Sequence, residues 1–324
     1  MDYVGYPCYD MSMKAFVFDP LWHQLVTEDL LAKINDSGVE AVVISDIAPL
    51  SACKELFEGD EDRLLCLNPD YVGWKLSGDD YKDIPNLKGI LTACTGFEWI
   101  EQNVAAENNI PICNIRNFST QAVAEWAVMM MFSLARQTPR LIKNGFPLDY
   151  DKDFMKYLGI QLKGRTAGII GLGLIGSAIA EACKGIGMDV VYWSKSSTDN
   201  NYESVSLEYL MSSADVIFPT VAKNPDTLTL FTDKHISSMK KTAILVDIAH
   251  GLFSQDKIAN MVAKGELFGY GFEGKPNEFA KFEGNVWAAP AYAWATSGSL
   301  NNSEAFLIDN IVSASRGEFP TRIN

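Results

Sequence analysis

From Lys14 to about Gly145, short apolar runs alternate with runs spaced for a helix. AFVF (15–18), AVVIS (41–45), GILTA (89–93) and PICNI (111–115) are compact and mostly apolar, which predicts buried strands. Between the first two, LVTEDLLAKINDSG (25–38) repeats its apolar residues at three and four and closes on Gly38, the pattern of an amphipathic helix with a glycine stop. This alternation predicts α/β layers. From Thr120, TQAVAEWAVMMMFSLARQTP is apolar nearly all round, so a helix there must be covered on several faces, by its own domain and by another domain or subunit. Met129, Met130 and Met131 read as packing. The charged stretch EGDEDR (58–63) predicts a solvated turn, and no internal repeat interrupts the series.

A second α/β series starts near Gln161. GRTAGIIGLGLIGSAIAEACKGIGMDVVYWSKSS (164–197) predicts a buried strand at Ala167–Ile170, a glycine turn, a helix carrying Ala178, Ala180 and Ala182, and a strand at Val190–Trp193. In this GxGxxG order Gly171 permits a tight turn, Gly173 lets a pyrophosphate approach the backbone, and Gly176 lets helix pack on strand. The helix opening at Leu174 and Ile175 presents free N–H groups to phosphate. The alternative, a structural glycine turn, leaves that order of elements unexplained. Where a ribose-binding acid usually ends the second strand, the chain has Trp193, Ser194, Lys195 and Ser196. A lysine between serines suits a 2′-phosphate, so NADP is favoured over NAD, with a solvated loop as the alternative. Farther on, AILVDIAHG (243–251) predicts a buried strand that delivers His250, one of only three histidines, to its end.

Composition narrows the partners. The chain of 324 residues, 48% hydrophobic and 21% charged, is long enough for two domains with their own cores. A net charge of −14 without a Lys/Arg-rich run argues against nucleic acid and anionic membrane as partners. MDYVGYPCYD at the start has no long apolar run, and nowhere do about 18 apolar residues follow one another, so the expected location is cytoplasmic. The six cysteines (Cys8, Cys53, Cys66, Cys94, Cys113, Cys183) form no CxxC pair, which predicts buried thiols and no metal site.

The order of motifs resembles the D-isomer-specific 2-hydroxyacid dehydrogenases. The resemblance runs through CTGFEWIE (94–101), ICNIRNFSTQAVAEWA (112–127), LKGRTAGIIGLGLIG (162–176), NPDTLTLFTDKHISSMKKTAILVDIAHG (224–251) and AAPAYAWAT (288–296). It implies an α/β protein of two domains: a Rossmann-type doubly wound parallel sheet, residues 113–296, inserted in a flavodoxin-like substrate domain made of 1–112 and 297–324. It also implies a homodimer, a small-molecule substrate, and a CTG segment (Cys94, Thr95, Gly96) offering backbone N–H groups to the substrate carboxylate. Thr220, Ile248 and Ala249 join the glycines and Ser194–Ser196 as candidate NAD(P) contacts.

The resemblance also exposes departures. The family ends the AILVDIAHG strand with an arginine that clamps a 2-oxo acid, and this chain has His250. The family's proton-transferring histidine falls at Ala291, and the glutamate that orients it falls at Lys275, with Glu273 close by. One reading is a reductase with a rearranged site, in which His250 gives the proton, Lys275 replaces the lost cation, and Tyr292 is a further donor. Each has a bland counterpart: a turn histidine, a solvated lysine, a packed tyrosine. The other reading is an inactive nucleotide-binding module acting as a sensor or regulatory protein.

Overall fold

The structure, a computed structural model, describes residues 13–146, 152, 154–249, 251–275 and 278–324. They divide into two compact units, one of residues 13–119 with Ser297–Asn324 and one of Thr120–Thr296.

The first unit is built on five parallel strands: β1 (Met13–Phe18), β2 (Val39–Ile44), β3 (Asp62–Leu67), β4 (Leu87–Thr92) and β5 (Ile112–Cys113). Their order, β2-β1-β3-β4-β5, is the flavodoxin-like one, and it reverses between β1 and β3. Ala15, Phe16, Val17 and Phe18 are all buried, as expected of a parallel strand covered on both faces. The predicted helix runs Glu28–Asp36; the Thr27 hydroxyl caps it at Leu30 N, and Gly38 ends it at φ +75°. The C-terminal helix Ser297–Ala314 seats Leu307, Ile308 and Ile311 against Ala15, Val17, Leu64 and Leu91, which ties the end of the chain to its beginning.

Two expectations need correction here. The break between units falls after residue 119 rather than after 112, because Cys113 pairs with Leu91 and Ile115 N donates to Cys94 O, keeping the intervening segment on the first sheet. The stretch 58–63 is not wholly a solvated turn either: β3 starts at Asp62, and Arg63 is fully buried. Its guanidinium donates to the carbonyls of Glu58, Glu61 and Pro85 and to the Glu61 carboxylate, so backbone oxygens stand in for the lost water.

The second unit carries seven parallel strands: β6 (Thr166–Ile170), β7 (Asp189–Trp193), β8 (Glu203–Ser204), β9 (Val216–Pro219), β10 (Ile244–Asp247), β11 (Gly269–Gly274) and β12 (Val286–Pro290). The order β12-β11-β10-β9-β6-β7-β8 is a doubly wound Rossmann sheet that reverses between β6 and β9. The helix Thr120–Ala135 buries Ala127, Met130, Met131 and Leu134 in this unit. Gly269 and Gly271 make room for it, since a Cβ on either would meet Leu134. Met130 and Met131 are thus interior, as packing residues, while Met129 is only partly buried against the same core. The buried face was unreadable from a helix with apolar residues on every side.

Candidate functional site

Every glycine of the fingerprint has a separate task. Gly171 ends β6 at φ +98°, a backbone region that L side chains rarely adopt. Gly176 lies in the first turn of the helix Leu174–Gly185, and a Cβ there would stand 2.1 Å from Gly171 O and 2.8 Å from Thr220 Oγ1. Gly173 faces open space, with nothing within 4 Å of a Cβ. No side chain caps the helix, so its first N–H groups are left for a ligand, and the dipole there favours an anion.

These residues open into a cleft of about 710 Å³ along the carboxyl ends of β6, β7 and β9, where sheets of this class take ligands. Gly171, Gly173, Ser194, Lys195, Ser196 and Thr220 all line it. Leu174 and Ile175 form the helix start beside it, and Gly176 lies beneath as packing. Ile248 is a core residue, and neither it nor Ala249 lines the cleft. The sequence reading missed the opposite lip, Val221, Ala222, Asn224, Asp226 and Thr227. Its signal was present in NPDT: Asn224 Oδ1 accepts from Asp226 N and Thr227 N at 3.0 Å each, while Asn224 N donates to Thr227 Oγ1 at 2.8 Å, a reciprocal cap that fixes the turn.

A larger cavity, about 870 Å³, includes Arg140, Lys143, Lys156 and Lys241. It lies by the residues that precede β10, β11 and β12, at the wrong end of the strands for this class of site. Lys143 is engaged there, its ammonium donating to Phe282 O at 2.9 Å and Val286 O at 2.8 Å, and burial lowers its pKa to about 8.

The remaining candidates follow three adjacent parallel strands, in register Asp247↔Phe272 and Gly274↔Pro290. His250 lies outside the described residues. Lys275 is exposed, and its backbone N–H donates to Glu278 Oε2 at 3.0 Å. Tyr292 is 59% exposed. Glu273 is buried and accepts from Ala293 N at 2.8 Å, which ties the end of β11 to the segment after β12. Sequence reasoning also passed over Lys223, whose ammonium lies 3.2 Å from where a Cβ on Gly251 would stand.

In the first unit the CTG segment forms a turn after β4. Its carbonyl oxygens face inward: Thr95 O accepts from Asn114 Nδ2 at 2.7 Å, and Gly96 O accepts from Trp99 Nε1 at 2.9 Å and Cys94 Sγ at 3.0 Å. The Thr95 and Gly96 amides donate to no partner among the described residues, and the next amide, Phe97 N, already holds the Glu98 carboxylate at 3.0 Å. Burial raises the pKa of the Cys94 thiol, which leaves it a packed thiol rather than a nucleophile.

The C-terminal helix reaches the same strand ends. Ser303 Oγ donates to Ala93 O at 3.1 Å, and the next residue, Glu304, is buried beside Asp19. Asp19 and Asn68 follow β1 and β3, the strands between which the order reverses. Asp19 is supplied with donors, Leu21 N at 2.7 Å and Asn68 Nδ2 at 3.2 Å, whereas Glu304 Oε2 has none. Two carboxylates bond only when one carries a proton, and Glu304 is the one that lacks other donors. Burial and the charge of Asp19 push its carboxyl up to about 8. Burial raises the pKa of Asp19 as well, against the pull of the Leu21 and Asn68 hydrogen bonds.

A doubly wound parallel sheet, a glycine turn at its reversal and an uncapped helix behind that turn define a dinucleotide-binding protein of the two-domain α/β class. Residues 128–294 match the family described as "D-isomer specific 2-hydroxyacid dehydrogenase, NAD binding domain", and the chain belongs to that family. Among curated relatives, the glyoxylate reductase of Thermofilum pendens is 29% identical over 280 residues, 81% of this chain and 80% of the relative. The glycerate dehydrogenase of Methylorubrum extorquens is 29% identical over 250 residues, 73% and 78% of the two chains. Among solved structures, an acyclic imino acid reductase in complex with NADPH and D-Arg has the same fold, with TM-score 0.76, 23% identity, and 96% and 100% of the chains covered. So has a D-isomer specific 2-hydroxyacid dehydrogenase from Lactobacillus delbrueckii ssp. bulgaricus complexed with NAD, with TM-score 0.75, 21% identity and the same coverage. No helix among the described residues is long and apolar enough to cross a membrane.

Proposed function

We propose that the protein is an NAD(P)H-dependent oxidoreductase that interconverts a small 2-oxo acid and its 2-hydroxy acid, with glyoxylate-like and hydroxypyruvate-like acids the first substrates to try. The observation that carries this reading is the glycine cradle: Gly173 faces open space at an uncapped helix start, and Gly176 is wedged where no side chain fits. Curated relatives named glyoxylate reductase and glycerate dehydrogenase support the substrate class. A bound reduced nicotinamide supplies a hydride to the carbonyl carbon. The chain has to supply a proton to the carbonyl oxygen and a hold on the carboxylate. His250, next to Ala249, is proposed as the proton donor. The Thr95 and Gly96 amides are proposed to donate to the carboxylate, and Lys275 or Lys223 is proposed as the cation in place of the family arginine. Lys195, between Ser194 and Ser196, favours NADPH.

The test is turnover of these acids with NADPH and NADH, followed in the nicotinamide absorbance. His250→Ala is expected to cut turnover about a hundredfold with nucleotide affinity unchanged, since general-acid catalysis contributes about 10²- to 10⁴-fold. His250→Gln does not rescue it, because an amide donates a hydrogen bond but no proton. Ala291, at the place of the family's histidine, favours a second reading, a sensor that binds nucleotide without turning it over. That reading holds if nucleotide binds and no acid is reduced.

The protein is also expected to be a homodimer. Phe132, Ile142 and Met155 are 44%, 42% and 74% exposed, and Arg140, donating to Lys156 O at 3.1 Å, ties the segments of Ile142 and Met155 together. Burial of these side chains against a second copy is the contact expected. Light scattering at micromolar concentration should give a dimer mass and Met155→Glu a monomer; a monomeric unmodified protein overturns the expectation.

A further inference from the structure

Two charged residues, Lys195 and Asp226, line the nucleotide cleft, and they stand on opposite lips. Lys195 lies two residues past β7 and Asp226 in the turn after β9, with Nζ and Oδ2 3.0 Å apart. Their side chains are 80% and 77% exposed, so the pair is a weak, solvent-screened one that a ligand opens easily. The two partners differ in freedom. The backbone of Asp226 is pinned by the Asn224 cap, and Thr227 Oγ1 donates to Ala222 O at 2.7 Å, which anchors the same turn. Lys195 is carried on a flexible four-carbon stem. The acid is thus presented at a set place, while the base can turn to whatever enters.

The chemistry of the two nicotinamide nucleotides differs at one ribose oxygen. A free 2′-hydroxyl needs an acceptor, ordinarily an acid at the end of the second Rossmann strand, and this chain has Trp193, Ser194 and Lys195 there. A 2′-phosphate needs a cation and is repelled by a carboxylate. Resting on the reading of this cleft as a nicotinamide-nucleotide site, we propose that Asp226 is a second specificity-determining residue. It supplies from the far lip the carboxylate that β7 lacks, competes with a 2′-phosphate for Lys195, and so keeps the site open to both nucleotides. Lys195 alone would make the cleft selective for NADPH. The Lys195–Asp226 pair instead offers each nucleotide the partner it needs and leaves the other charge in water.

Fluorescence titration of the full-length protein with NADPH and with NADH, without substrate, tests this. Asp226→Asn keeps the size of the side chain on an exposed turn, so the fold is preserved. It is expected to tighten NADPH by about fivefold or more, through loss of a like charge and release of Lys195, and to weaken NADH, moving the ratio of the two affinities by at least about tenfold. Lys195→Gln should weaken NADPH by about tenfold, and in that background the NADPH gain from Asp226→Asn should shrink to about twofold, because there is no longer an ammonium to compete for. If Asp226→Asn moves both affinities by the same factor, Asp226 is a rim residue and the inference is overturned. If its NADPH gain survives undiminished in the Lys195→Gln background, the competition is overturned. If neither nucleotide binds the unmodified protein, the parent reading fails instead.

Discussion

Gly176→Val abolishes nucleotide binding. The Cβ it adds falls 2.1 Å from Gly171 O, inside van der Waals contact by more than an ångström, and the obstacle is backbone on one side and Thr220 on the other. Thr220 cannot swing away cheaply, because its hydroxyl donates to Gly171 O and it closes the end of β9 onto β6. Either the helix Leu174–Gly185 backs off the sheet or the Gly171 turn changes shape. In both cases the amides at the helix start no longer converge on one point. NADPH and NADH affinities are both expected to fall by at least about a thousandfold, the equivalent of about 4 kcal/mol. Overpacking of this size ordinarily costs about 1–3 kcal/mol of stability, so the second unit loses melting temperature while the first keeps its far-ultraviolet signal. Gly173→Ala is the control. A Cβ there meets nothing within 4 Å, so it leaves the fold intact and weakens binding only by crowding the phosphates. Near-normal affinity in Gly176→Val would mean that the fingerprint is a structural turn.

A second large effect is expected from Glu304, and it depends on pH. Its carboxyl, ordinarily near 4.5, is raised to about 8 in the folded chain. Between these values the unfolded chain has lost the proton and the folded chain still holds it, so stability falls as pH rises across that window and levels off above it. Wherever the two states differ by a full proton, each pH unit lowers stability by about 1.4 kcal/mol. Asp70 adds a like charge near Asp19 and pushes the same way. Glu304→Gln removes the titration and offers Asp19 a permanent donor in place of the shared proton. Urea midpoints measured from pH 5 to pH 9 should decline for the unmodified protein and stay nearly level for Glu304→Gln, the two curves separating most above pH 8. Parallel curves would show that the pair does not share a proton. Glu304→Ala, which leaves Asp19 without that proton and opens a cavity, should destabilise at every pH.

The elements with the clearest local signals were legible before any coordinates. The helix Glu28–Asp36 carried its own periodicity, cap and glycine stop, and the β6–turn–helix–β7 unit carried glycines whose spacing has a single geometric use. The misreadings share a cause, which is that each turned on a partner distant in sequence. Arg63 looked like part of a solvated turn because the carbonyl of Pro85 that helps to receive it comes 22 residues later. Residues 113–119 looked like the start of the second unit until Cys113 paired with Leu91. The far lip of the nucleotide cleft was passed over because Asp226 meets Lys195 only once β9 is laid next to β6.

By itself, then, the sequence determined what short-range chemistry can encode: α/β layering, the glycine fingerprint and the family. Tertiary structure alone decided which charges meet. It set Asp226 against Lys195, placed Lys223 beside Gly251, and buried Glu304 beside Asp19. The physical reason is that hydrophobic periodicity is written along the chain, where neighbours are a few residues apart. Electrostatic partners and buried donors are set by strand order, and a sheet that reverses direction brings together residues that no spacing in the sequence connects.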